Sequence, residues 1–160
     1  MKRGAERELE TAWGRFRLVA YHDLPTASAH LALVLGTPRP EHETLVRVHE
    51  PLSIVDLIDA GPGTHSWGIG EALTVIRRAG EGVMVLLNCS QSEAALEARL
   101  SESRSAGQGA RSVDLRTYGI GAQILRDLGV GKMRLMATPR KMPSMAGFGL
   151  EVIGYAERGR

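Results

Sequence analysis

The residues best suited to take part in a reaction lie in one run, DLRTYGIGAQILRDLGVGKMRLMATPRK, which spans residues 114–141. Asp114 and Arg116 open the run, and Arg140 and Lys141 end it. A carboxylate can act as a general base, and the fork of a guanidinium group can hold a phosphate. The start of a helix also attracts phosphate, because it presents free amide groups and a partial positive charge. The run therefore predicts a site for a phosphorylated compound.

Two glycines in this run, Gly119 and Gly121, predict a turn where a ligand can approach the backbone closely. A second interpretation stays open. The glycines would only ease a tight turn, Asp114 and Arg116 would pair with each other, and the basic loop would be solvated. A single Gly-x-Gly motif is too weak to decide between the two.

Apolar patterns predict the elements that must position this run. Strands are predicted at residues 16–21, 30–36, 44–50, 83–88, 133–137 and 150–155. Helices are predicted ahead of Gly80, from Ser90 to Leu100, and ahead of Gly129. Strands and helices alternate in the second half. We therefore expect an α/β fold, in which helices pack on a mixed sheet with an antiparallel first part and a βαβ-type second part.

Length, charge and composition narrow the class of protein. The chain has 160 residues, which fits one compact domain, and its formal net charge is only +2. Basic and acidic residues are interspersed, so we expect no nucleic-acid partner. No apolar run is long enough to span a bilayer and no signal-like start is present, so we expect no membrane partner and a cytoplasmic protein. The charged start, MKRGAERELE, would fit a linker junction in a longer two-domain chain.

The run DLRTYGIGAQILRDLGV, followed by MRLMATPRK and GLEVIGY, resembles the C-terminal half of the GTP cyclohydrolase II family, zinc enzymes of riboflavin biosynthesis. The segments LETAWGRFRLVAY, HLALVLG and VRVHE are similar to that family's first half. The resemblance runs from about Leu9 to Tyr155. It implies a single GTP cyclohydrolase II-like domain over residues 1–160 and a homodimer. It also implies a reaction in which metal-bound water opens the imidazole ring of GTP, and formate and pyrophosphate leave.

Two residues carry the catalytic part of this resemblance. Asp114 resembles the family's proton-accepting aspartate, and Arg116 resembles its nucleophilic or phosphate-contacting arginine. In a purely structural interpretation, both residues would brace the entry into the following helix.

A second group of residues carries the binding part. Arg47, Val48 and His49 resemble one edge of the family's nucleotide site, and Lys141 resembles its phosphate-binding lysine. Arg140 is next to that lysine and is expected to reach the same anion. A histidine at a strand end, such as His49, is also commonly a hydrogen-bonded structural residue.

The zinc ligands of the family have no counterparts here. That site consists of one cysteine, ten intervening residues and then Cys-x-Cys, shortly after the VHE-like segment. The corresponding positions in this chain are Leu52, Gly63 and His65. Leucine and glycine side chains donate no electron pair to a metal, so we expect no zinc and no other cofactor.

Further family features are missing. The Glu-Gly-Arg segment that helps hold the nucleotide corresponds to Ser90, Gln91 and Ser92, and no tyrosine lies between it and Asp114. The threonine of the family's Thr-Asn-Asn-Pro turn corresponds to Ala137.

These losses predict a catalytically inactive domain. In many bacteria the family's domain follows a 3,4-dihydroxy-2-butanone 4-phosphate synthase domain in one polypeptide. The resemblance therefore implies a C-terminal partner that supports or regulates such a synthase. Two alternatives stay open. One is a residual hydrolase of a phosphorylated nucleotide that works without zinc. The other is a nucleotide- or flavin-sensing module.

Overall fold

The computed structural model describes residues 1–50, 53, 55–58, 65–89, 92–101, 115–139 and 144–158. The strands of this part are β1 (Lys2–Thr11), β2 (Gly14–Asp23), β3 (Ser28–Leu35), β4 (Glu43–His49), β5 (Gly82–Leu86), β6 (Lys132–Leu135) and β7 (Glu151–Tyr155). The helices are α1 (Val55–Ile58), α2 (Ile69–Ala79), α3 (Glu93–Ser101) and α4 (Leu115–Asp127), with a 3₁₀ turn at Ala146–Phe148. None of the described helices combines the length and the hydropathy needed to cross a membrane.

The described strands form a single mixed sheet in the order β1-β2-β3-β5-β4-β6-β7. The strands from β1 through β3 to β5 pair antiparallel, whereas β5, β4, β6 and β7 pair parallel. The predicted fold class is therefore confirmed. The central strand β5 joins the two parts, and all five of its residues are buried.

Each face of the sheet packs against one long helix. Helix α2 covers one face with Ile69, Leu73 and Ile76, and α4 covers the other with Ile120 and Ile124. Side chains of the strands alternate between these two cores, as the pleat requires. In β2, for example, Phe16 joins the α2 core, whereas Val19 and Tyr21 join the α4 core.

The predicted turn at Gly119 and Gly121 is wrong, because both glycines lie inside α4. Glycine costs helix stability relative to alanine, but tertiary packing can override this preference. A Cβ atom at Gly119 would stand 3.7 Å from the ring of Phe148, and one at Gly121 would stand 3.6 Å from Val48. These are ordinary van der Waals distances, so a Cβ atom at either position would contact its neighbour without a clash.

The charged start of the chain is an edge strand. The expectation of a linker junction in a longer chain stays a prediction. Strand β1 pairs with β2 from Lys2↔His22 to Thr11↔Gly14. Its residues are mostly exposed, so no apolar alternation marks it in the sequence. Charged residues on an edge strand discourage pairing with another chain.

Candidate functional site

Arg116 lies in the first turn of α4, where its guanidinium group contacts the end of β2. Its Nη2 donates to Oδ2 of Asp23 at 3.2 Å. The Arg116 side chain is 55% exposed, whereas that of Asp23 is only 9% exposed. Asp23, at the end of a strand, thus binds one nitrogen of the Arg116 guanidinium group, and most of that side chain still faces solvent. Asp114, the expected base, lies outside the described residues.

Asp23 is a site residue that was not predicted from the sequence. It ends β2, and the turn that follows lets the hydroxyl of Thr26 donate to its carboxylate. This hydrogen bond lowers the pKa of Asp23, and the charge of Arg116 lowers it further against the opposing effect of burial. Asp23 is therefore a carboxylate at neutral pH. The available signal was its position ahead of the Leu24-Pro25 turn, where aspartate is favoured.

His30 belongs to the same face of the sheet and is fully buried. Its Nδ1 accepts the backbone N–H of Asn88 at 2.9 Å, which places the ring proton on Nε2. Burial lowers the pKa of His30, and the nearby charge of Asp23 partly opposes this shift. The alternation of side chains along β3 could have identified His30 as a buried residue, because His30 lies on the same face of the strand as the core residues Ala32 and Val34.

Arg47 lies on the opposite face of the sheet, under α2. It is 5% exposed, and its guanidinium group donates to the carbonyl of Met136 at 2.9 Å and to that of Trp67 at 3.1 Å. Arg47 thereby ties β4 to the segment after β6 and to the segment before α2. These contacts suit a brace within the fold.

Val48 and His49 follow Arg47 but face opposite sides of the sheet. Val48 packs against the α4 core. The ring of His49 is buried and stacks on that of His65, with the centroids 4.0 Å apart and the planes tilted by 38°. Of the three residues predicted to form one edge of the nucleotide site, only Arg47 and His49 thus lie on the same face of the sheet.

The remaining predicted residues, Arg140 and Lys141, lie outside the described part of the chain. The same holds for Leu52 and Gly63, two of the three positions that correspond to zinc ligands; the third, His65, is half-buried beside His49. No group of three or more His, Cys, Asp or Glu among the described residues could hold a metal ion. The side chains at the ligand positions do not fit a three-cysteine zinc site, because leucine and glycine offer no donor atom.

The polar groups therefore form two separate clusters. Asp23, His30 and Arg116 lie on the α4 face, and Arg47 and His49 lie on the α2 face. The first cluster presents an exposed cation that can contact an anion. The second cluster is buried, and its cation donates to backbone carbonyl groups.

Comparison with known proteins agrees with this architecture. The family model for GTP cyclohydrolase II matches residues 2–157. A relative from Neisseria meningitidis, called 3,4-dihydroxy-2-butanone 4-phosphate synthase, is 45% identical over 149 residues, which cover 93% of this chain and 40% of that protein. A relative from Chlorobium phaeovibrioides, called riboflavin biosynthesis protein RibBA, is 35% identical over 164 residues, which cover 96% of this chain and 40% of that protein.

A solved structure is also similar. It is described as RibBX, a two-domain 3,4-dihydroxy-2-butanone 4-phosphate synthase from A. baumannii, and it matches 98% of this chain and 40% of its own length with a TM-score of 0.59 and 31% identity. The chain thus spans about two fifths of the length of these relatives. Since the family model covers nearly every residue in order, from β1 to the segment after β7, the chain belongs to the GTP cyclohydrolase II family.

Proposed function

We propose that this chain is a non-catalytic domain of riboflavin biosynthesis that supports or regulates a linked 3,4-dihydroxy-2-butanone 4-phosphate synthase in the cytoplasm. The observation that carries the proposal is the donor chemistry at the positions of the family's zinc ligands. These positions hold Leu52, Gly63 and His65. One histidine supplies a single ligand, whereas a catalytic zinc needs about three protein ligands.

The loss of the metal site removes the source of the nucleophile. A metal ion lowers the pKa of its bound water from 15.7 to about 7, and an unassisted side chain has no comparable effect. The family's catalytic tyrosine and Glu-Gly-Arg segment have no counterparts either, so activation of water and binding of the nucleotide are weakened together.

The contacts of the retained arginines also favour a structural role. Arg47 donates to two backbone carbonyl groups, and these hydrogen bonds fix its orientation inside the fold. Arg116 pairs with Asp23, which anchors the start of α4 to the end of β2. Both residues have a use that does not depend on a nucleotide.

The core, in contrast to the zinc positions, is complete. The side chains of Leu73, Ile76, Met84, Ile124 and Met133 are at most 1% exposed. Most core substitutions cost about 0.5–3 kcal/mol against a total stability of about 5–15 kcal/mol, so an unconstrained chain would lose core positions as well. A complete core in a chain that lacks the family's zinc ligands favours a fold that is retained because its surface contacts another domain or another copy.

The relatives suggest what that surface serves. Their names describe synthases of 3,4-dihydroxy-2-butanone 4-phosphate, and the similar solved structure is described as a two-domain protein. A domain that dimerises would hold two linked synthase domains at high effective concentration and so promote their pairing. No contact with the synthase active site is needed for this effect.

A chimera tests the proposal. This chain would replace the matching segment of the Neisseria meningitidis relative, and the chimera would be compared with that relative cut off before the segment. We expect the chimera to exceed the truncated protein in synthase turnover, melting temperature or number of subunits per oligomer. Equal values for all three quantities would overturn the proposal.

One observation favours a second candidate, a residual hydrolase of a phosphorylated nucleotide. Arg116 keeps more than half of its side chain exposed at the start of α4, where an anion can reach it. Release of formate from GTP by the purified chain would support this candidate.

A further inference from the structure

A groove on the α4 side of the sheet is lined by none of the residues in the two polar clusters. It has a volume of about 370 Å³ and lies where β1, β2, the second half of α4 and the 3₁₀ turn meet. Sites for small molecules usually measure roughly 300–1,000 Å³. The side chains used below are those of Arg3, Tyr21, Gln123, Arg126, Asp127 and Phe148.

The floor of the groove is a hydrogen-bonded network centred on one oxygen of Asp127. The hydroxyl of Tyr21 donates to Asp127 Oδ2 at 2.6 Å, and Nη1 of Arg3 donates to the same oxygen at 3.0 Å. Tyr21 is only 1% exposed, and burial together with this hydrogen bond raises its pKa, so the phenol is a neutral donor at neutral pH. The network joins the start of β1 to the end of α4 and fixes the shape of the floor.

The charges around the groove leave one cation available to a ligand. Arg3 pairs with Asp127 at 3.0 Å and with Glu6 at 2.6 Å, so its charge is already offset. Arg126 is exposed, and its side chain makes no hydrogen bond or ion pair with any residue that the structure describes. A guanidinium group binds phosphate with two parallel hydrogen bonds. Arg126 therefore favours an anionic ligand.

A ring surface and an amide lie beside this cation. Phe148 lines the groove from the 3₁₀ turn and is half-buried. Gln123 lies three residues before Arg126, so both side chains are on one face of α4. The amide of Gln123 has no hydrogen-bond partner within the described part of the chain. A planar ring that packs on Phe148 can thus direct its polar edge to an amide that both donates and accepts.

We propose that this groove binds a planar heteroaromatic compound that carries a phosphate group, as a mononucleotide does. The phosphate binds Arg126, the ring packs on Phe148, and the polar edge of the ring bonds to Gln123. The groove is distinct from the site at Arg116. Arg126 lies ten residues further along the same helix, which corresponds to about 15 Å of axial rise. The proposal does not rest on the proposed function.

The open shape of the groove predicts weak binding. Gln123, Arg126 and Asp127 are all exposed, so a ligand that contacts them keeps part of its own surface in water. Sites that bind small molecules tightly bury about 70–90% of the ligand surface, so we expect a dissociation constant on the order of 100 µM. Binding of this strength responds to changes in ligand concentration.

NMR titration of the full chain locates the ligand. The probes are flavin mononucleotide and guanosine monophosphate, which differ in the size of the heterocycle. We expect at least one of them to shift the side-chain amide signal of Gln123 and the backbone amide signal of Phe148. Shifts from neither probe, or shifts confined to the surroundings of Arg116, would overturn the proposal.

Removal of the phosphate tests the role of Arg126. The nucleoside form of the bound probe, riboflavin or guanosine, should bind about tenfold more weakly, because hydrogen bonds to charged groups are among the stronger ones. Equal affinity of the two forms would show that the phosphate is not recognised and would overturn the proposal.

Arginine variants supply the matched comparison. Arg126→Ala should weaken binding of the mononucleotide by about tenfold and leave the affinity for its nucleoside form unchanged. Arg78→Ala is the control, because Arg78 is exposed in the last turn of α2, as Arg126 is in α4. Circular dichroism checks that both variants are folded. Equal effects of the two substitutions, or loss of binding in Arg116→Ala but not in Arg126→Ala, would overturn the proposal. The chimera tests the proposed function separately from all of these outcomes.

Discussion

Two arginines show how partners decide the role of a residue type. Arg47 is buried and donates to two carbonyl groups, whereas Arg116 is largely exposed and pairs with one carboxylate. The family resemblance implies an edge of the nucleotide site for Arg47 and a nucleophilic or phosphate-contacting role for Arg116. Their contacts differ, so substitution should affect them differently.

Replacing Arg47 with methionine should lower the free energy of unfolding by about 2–4 kcal/mol. Two hydrogen bonds from a charged donor are lost, and two buried acceptors are left without that donor. Arg116→Met is the matched control and should cost clearly less, since exposed ion pairs contribute little. Urea denaturation measures both. Equal losses would show that Arg47 is not the brace inferred from its contacts.

The titration of His30 and Asp23 predicts that stability declines in acid in two stages. The pKa of His30 is lowered in the folded state, so the unfolded chain takes up a proton first as the pH falls below the ordinary value of 6.5, and stability declines from there. The pKa of Asp23 is also lowered, so its contribution is present above the ordinary value of 3.8 and is lost as the pH falls through the folded value. Melting temperatures between pH 8 and about 3 give the profile.

Variants assign the two stages. His30→Gln should flatten the decline below pH 6.5, because glutamine keeps an acceptor but does not titrate. Asp23→Asn should flatten the decline at lower pH. A profile that neither substitution alters would assign the acid sensitivity to other groups.

Purified protein should contain no stoichiometric zinc. Leu52 and Gly63 offer no ligand atom, and His65 alone would bind weakly. Elemental analysis of protein prepared without a metal-binding tag measures the ratio of zinc to chain. A ratio near one would contradict the prediction.

At the scale of elements, sequence periodicity predicted most of the sheet and its two large helices. Strand pairs such as β2 with β3, and the buried face of α4, follow from patterns within a short window. Contacts between segments that are distant in the sequence could not be predicted from it. Arg116 and Asp23 are 93 positions apart, and neither neighbourhood indicates the other. Strand β1 was also missed, since an exposed edge strand needs no apolar alternation.

Close packing of α2 on β5 yields a prediction at this scale. A Cβ atom at Gly82 would lie 2.9 Å from the side chain of Ile76 and 3.0 Å from the carbonyl of Leu45. Gly82→Ala should therefore cost about 1–3 kcal/mol, as overpacked cores usually do. Gly147→Ala is the control, because no atom lies within 4 Å of a Cβ there. Similar melting temperatures for both variants would contradict the close contact.

At the scale of the whole molecule, the sheet separates the two clusters of polar groups. The cluster of Arg116 faces α4, and the cluster of Arg47 faces α2, while the apolar cores on both faces are complete. Apolar packing thus holds the described elements together on both faces of the sheet. A stable core of this kind is what a domain used for its surface requires.

The full chain should not turn over GTP measurably. Attack on the imidazole ring needs an activated water, and every 1.36 kcal/mol added to the barrier slows a reaction tenfold. Without a metal ion the pKa of water stays near 15.7 instead of about 7, so many powers of ten in rate are lost before any effect of the missing tyrosine is counted. Formate release and formation of the diaminopyrimidine product measure turnover, with a reaction without protein as the reference. Product above that reference that disappears in Arg116→Ala would show that the exposed arginine still acts on a bound nucleotide, and the chain would then be an enzyme.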